Sequence, residues 1–149
     1  MNFKTLLAFT ILTGLTTLAG CSLMNPPPAV ATAAAVPLLG THWRVTMIGN
    51  EVVDNPAGER DAHFTLQPTD NSVTGDSGCN RLFGRYVLEN DMLKFDGLGG
   101  TKMACEGRME LERKFNNALM ATMRWKISGS SLELFDDSDK AVATFAASP

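Results

Sequence analysis

From Leu39 onward, apolar residues recur at every second position in short runs separated by turn residues. That period matches a strand, whose successive side chains point to opposite faces, so the chain is restricted to a sheet with one buried face. Trp43, Val45 and Met47 alternate with Arg44 and Thr46, and Gly49-Asn50 turns the chain toward Glu51, Val52 and Val53. Ala62, Phe64 and Leu66 alternate with His63 and Thr65; the turn Pro68-Thr69-Asp70-Asn71 follows, then a short strand around Val73 that stops before Gly75. Tyr86 and Leu88 form the next alternating pair, and Glu89-Asn90-Asp91 turns the chain into a strand over Met92 to Phe95. Trp125 to Ile127, Leu132 to Phe135 and Val142 to Phe145 close the chain as a meander, punctuated by Gly129-Ser130-Ser131 and by the acidic loop Asp136 to Lys140.

One segment departs from this rhythm. Glu106 to Met123 has no proline, and Leu111, Phe115, Ala118, Leu119 and Thr122 recur at spacings of three and four, which places them on one face of a helix. Glu110 precedes Lys114 by four positions, the favourable order for a helical ion pair. Roughly eight short strands with one inserted α-helix predict a mainly β fold, an antiparallel meander curled into a lipocalin-like roll or barrel. The helix is expected to pack against or plug one end.

The amino terminus carries a different instruction. Lys4 precedes an apolar run from Leu6 to Leu18, and Leu18-Ala19-Gly20 leads directly into Cys21. This resembles the processing box of a bacterial lipoprotein, with residues 1–20 as a signal peptide and Cys21 as the lipidated residue. The run is short for a membrane span, which needs roughly twenty apolar residues. Lipid chains on Cys21 would anchor the protein, and Ser22, in place of an aspartate, favours the outer membrane, facing the periplasm. Residues 21–38, with Pro26-Pro27-Pro28 and the stretch Ala29 to Ala35, are expected to form a tether, leaving 39–149 as the single domain.

Charge and inventory exclude several functions. The net charge is -3 and no basic stripe occurs, which argues against nucleic acid as a partner. No Gly-x-Ser-x-Gly, His-Glu-x-x-His or dinucleotide fingerprint is present. Gly97, Gly99 and Gly100 are taken as a loop. His42 and His63 are assigned to strands without a proton-transfer role. Asp136, Asp137 and Asp139 lack the spacing of a calcium loop. Met92, Met103, Met109, Met120 and Met123 are expected to pack adaptably in the core, with copper capture as the sharper alternative. No metal site, cofactor or catalytic residue is expected.

With Cys21 assigned to the lipid, Cys79 and Cys105 remain as a pair in a compartment that permits disulfides. Their separation matches neither Cys-x-x-Cys nor a zinc ribbon, so a structural bridge is expected. Asn80 and Arg81, beside Cys79, are candidates for contact with a ligand or partner.

Gly78-Cys79-Asn80-Arg81-Leu82-Phe83-Gly84-Arg85-Tyr86, the later Thr101-Lys102-Met103-Ala104-Cys105 and the opening Leu39-Gly40-Thr41-His42-Trp43 occur in this order. Together they resemble the META domain family, which includes the heat-shock HslJ-like lipoproteins. The resemblance implies a compact barrel-like domain, secreted or lipid-anchored, linked to envelope stress and antibiotic tolerance, with no known catalytic residue. The reading that follows is a non-enzymatic envelope protein that acts by contact with another envelope component. Two alternatives are a barrel that binds a small apolar ligand and an anchored inhibitor of an envelope hydrolase. The inhibitor would present Asn80 to Phe83 or the loop Asp136 to Lys140.

Overall fold

The computed structural model describes residues 35–54 and 60–148, all within the unit Thr32–Pro149. The expected signal peptide, Cys21 and most of the expected tether lie outside the described residues. Those described form nine strands and one helix: β1 His42–Ile48, β2 Glu51–Val52, β3 Ala62–Leu66, β4 Ser72–Ser77, β5 Arg81–Glu89, β6 Met92–Gly100, α1 Met109–Ala121, β7 Arg124–Ser128, β8 Ser131–Phe135 and β9 Ala141–Ser148. Every pairing is antiparallel and joins neighbours in sequence, except that β1 pairs β3 and β9 as well as β2. The β1–β9 ladder closes the sheet into a ring, leaving the two-residue β2 as an edge among the described strands. The mainly β barrel with one inserted helix is therefore the fold the alternation predicts.

Alternation sets which side chains fill the ring. Trp43, Val45, Ala62, Phe64, Leu66, Val73, Leu82, Tyr86, Leu93, Leu132, Leu134, Ala143 and Phe145 are buried, while their neighbours in sequence face outward or lie at the surface. Phe64 meets Phe145 and Phe95 edge-on, with ring centroids 5.0 and 5.4 Å apart. Burying each such side chain contributes about 1.5–3 kcal/mol. The two polar handles within the core are both satisfied: Trp43 Nε1 donates to Leu38 O at 2.9 Å and Tyr86 Oη to Gln67 O at 2.9 Å.

The helix seals this core from one side. Phe115, Ala118 and Leu119 are its buried residues, and Phe115 packs against Phe145 with ring centroids 6.2 Å apart. The helix is shorter than the apolar pattern suggests. At its start Gly107 adopts φ +75°, and residues before Met109 form turns. At its end Thr122 is extended, its Oγ1 donating to Ala118 O at 2.8 Å. Glu110 does reach Lys114, at 3.8 Å, but Lys114 also bonds Glu51 at 2.5 Å and Glu110 bonds Arg113 at 2.6 Å.

Three further boundaries differ from the sequence expectation. β4 runs through Gly75, because the glycine lets β3 approach: a Cβ there would lie 2.1 Å from His63 O. Gly97, Gly99 and Gly100 belong to β6 and are not a loop. Gly99 lies opposite Phe83 of β5, whose ring fills the place a side chain would take, and a register shift between Phe83 and Arg85 marks a bulge in this ladder. Finally, the folded unit begins before Leu39. Val36 N donates to Gly129 O at 3.0 Å and Leu38 is buried, so Val36 to Leu38 belong with the barrel and not with the tether.

Candidate functional site

Cys79 and Cys105 form a disulfide, with Cα atoms 5.8 Å apart across a sequence separation of 26. It joins the turn before β5 to the loop before α1, and is the structural bridge expected of this cysteine pair. The turn is tight: Gly78 has φ +91°, its N–H donates to Asp76 Oδ1 at 2.9 Å, and Asn80 O accepts from Ser77 N at 2.8 Å.

Asn80 is 2% exposed, and its amide is fully used. Oδ1 accepts from Thr101 Oγ1 at 2.8 Å and from Met103 N at 2.7 Å; Nδ2 donates to Met103 O at 3.1 Å and to Glu112 Oε2 at 2.9 Å. An amide offers two lone pairs and two protons, so no capacity is left for a ligand. The side chain is a joint between β5, the 101–103 segment and α1. Arg81, its neighbour, is exposed, with its backbone N–H donated to Thr101 Oγ1 at 3.1 Å. Of the two expected contact residues, Arg81 alone presents its side chain to solvent.

The methionines are not core residues. Met103, Met109 and Met120 are exposed, and Met92 and Met123 are half-buried. On α1, Leu111, Phe115 and Leu119 pack against the core while Met109 and Met120 are exposed, and Met103 lies in the segment before the helix. Met103, Ala104 and Met109 line an open groove beside the disulfide, whose polar rim includes Glu112 and Arg113.

The acidic loop is an ordered turn. Asp136 Oδ1 accepts from Ser138 N at 2.9 Å and Lys140 N at 3.0 Å, and Asp139, at φ +64°, is ion-paired with Arg124. Its carboxylates serve the hairpin and the adjacent strand.

One cluster escaped the sequence reading. His42 on β1 and His63 on β3 stack with ring centroids 3.9 Å apart, and Asp61 lies against both. Asp61 Oδ2 is 3.4 Å from His42 Nε2, and Oδ1 is 3.6 Å from His63 Nδ1. All three are half-buried and lie on the outer face, since Trp43, Ala62 and Phe64 point inward. Assigning each histidine to a strand was correct, but the pairing of β1 with β3 brings them together. The available signal was the two-residue spacing of Asp61, just before β3, and His63 within it; the register that places His42 beside them is not written locally.

A filled antiparallel barrel with a stapled helix, closed by its first and last strands, defines a small β-barrel domain. The META domain model matches residues 36–149, and the chain belongs to the META domain family. Similar solved structures share this fold. An NMR structure of a protein from Burkholderia xenovorans is 28% identical, covering 74% of this chain and 83% of that one with a TM-score of 0.63. A crystal structure of a DUF4847 family protein from Bacteroides vulgatus is 15% identical, covering 73% of this chain and 93% of that one with a TM-score of 0.52. Comparison with curated proteins yields no significant match.

Proposed function

We propose that this META domain protein is a non-enzymatic envelope lipoprotein, anchored through lipid on Cys21 to the outer membrane and facing the periplasm, where it supports tolerance of envelope stress or antibiotics. It acts by contact with another envelope component through the outer surface of its barrel. The observation that carries this reading is the occupied interior: Trp43, Phe64 and Phe145 of the ring and Phe115 of the helix are fully buried in one core, where a ligand-binding barrel would keep its cavity. The saturated amide of Asn80 points the same way, since the family-like motif is used for folding. An inhibitor loop at Asn80 to Phe83 finds no support in a segment that is largely strand.

Two measurements test the proposal. Metabolic labelling with a palmitate analogue should mark the wild type and not Cys21→Ser; equal labelling overturns the anchor. In a deletion strain under envelope stress, an exported but unanchored form should complement poorly at equal protein level, because tethering raises the effective concentration for membrane-side partners. Full complementation by the unanchored form overturns the membrane-side mode of action.

A further inference from the structure

We propose that His42, Asp61 and His63 form a binding site for a divalent transition-metal ion of the zinc type on the outer face of the barrel. One ring nitrogen of each histidine and one carboxylate oxygen of Asp61 lie within 4.8 Å of one another. His42 Nε2 and Asp61 Oδ2, 3.4 Å apart, approach the ~3.3 Å edge of a tetrahedron whose metal–ligand bonds are about 2.0–2.1 Å. Two imidazoles with one carboxylate suit zinc, copper or nickel and not the oxygen-seeking magnesium or calcium.

The supporting geometry is rigid. His42 and His63 flank residues whose side chains are wholly buried, and Trp43↔Phe64 and Arg44↔His63 are in register, so the backbones carrying the ligands are held by the sheet. His63 Nδ1 lies 3.0 Å from Asp61 O. A carbonyl can only accept, so Nδ1 carries the proton and the Nε2 lone pair remains available, the tautomer control that ligating histidines commonly show. The three side chains are partly exposed, leaving room for water as a further ligand. The neighbouring cations are Arg44, opposite His63, and Arg60, which reaches Asp76 at 3.8 Å.

The test is titration of the metal-free full chain with Zn2+ in detergent at neutral pH, in a Cys21→Ser background that removes a competing thiol. One equivalent should bind, and His42→Ala, His63→Ala and Asp61→Asn should each weaken binding by about tenfold or more, since even outer-shell losses cost about 10–100-fold. Unchanged thermal midpoints without metal establish that the variants fold, as expected for side chains on the outer face. Nitrogen-15 shifts of both imidazoles should move on zinc addition and identify the ligating nitrogens. No saturable binding below about 100 µM, a dissociation constant that still represents several kcal/mol, overturns the site, as does equal affinity in the His42→Ala/His63→Ala double variant.

Discussion

Asn80 Nδ2 and Glu112 Oε2 are hydrogen-bonded at 2.9 Å across 32 residues of sequence, tying the start of β5 to the first turns of α1. The same amide holds the backbone of Met103 through both its N–H and its carbonyl. Asn80→Ala leaves these groups without their partner at a part-buried corner of the fold. We expect a loss of about 1–3 kcal/mol, the cost of leaving a buried polar group unsatisfied, since water can reach part of the site. Chemical denaturation at neutral pH measures it, and a loss below half a kcal/mol would show that Asn80 is not the joint described.

The disulfide reinforces this corner by a separate mechanism. Closing a loop of 26 residues removes unfolded-state entropy equivalent to about 3.5 kcal/mol. Cys105→Ser, or reduction, should therefore lower the thermal midpoint by about ten degrees or more, given about 4–8 °C per kcal/mol in a small domain. Calorimetry with and without reductant decides it; coincident midpoints would contradict the assigned role.

Gly75→Ala should be among the most damaging single substitutions in the sheet. Its Cβ would meet His63 O at 2.1 Å and Phe64 Cα at 2.9 Å, both backbone atoms that cannot rotate away. The expected cost is at or above the top of the roughly 1–3 kcal/mol range for overpacking. Gly49→Ala provides the control, because no atom lies within 4 Å of its added carbon and only the φ of +57° opposes it. Equal stability of the two variants would refute the close approach.

Asp70 accepts from Ser72 Oγ at 2.7 Å and Ser72 N at 3.0 Å in the turn between β3 and β4, and these bonds, the hydroxyl's first, hold its carboxyl below the usual 3.8. A depressed carboxylate contributes stability that is fully present above its unfolded value and is lost as pH falls through the folded value. Relative to Asp70→Asn, the wild type should lose stability as pH drops below about 4 and show a constant difference above it. Denaturant midpoints for the two proteins from pH 7 to 2 reveal the sign. A gap that widens toward low pH in favour of the wild type would reverse the assignment.

What could be read in advance followed from local chemistry. Period-two burial identifies Trp43, Val45, Phe64, Leu132 and Phe145 as core, and the three-and-four spacing identifies Phe115 and Leu119. Gly97 to Gly100 were misassigned because glycine in a strand depends on a partner across the ladder, here Phe83 over Gly99. The exposed methionines and the His42–Asp61–His63 cluster were missed for the same reason. Their environment is set by register and by which helix face meets the barrel, relations between residues distant in sequence.

β6 and β7 share a single registered pair, Met92↔Arg124, with Leu93 N bonded to Met123 O and Trp125 N to Asp91 O nearby. Every other neighbouring pair in the ring is more extensively laddered, so this junction is the most sparsely bonded seam of the barrel. Transient opening there would convert the closed cylinder into a sheet with two complementary borders, β6 and β7, while leaving the β1–β9 closure intact. Amide exchange should consequently be faster in the outer half of β7 than in β8, and at high concentration any reciprocal exchange of strands between copies should begin at this line.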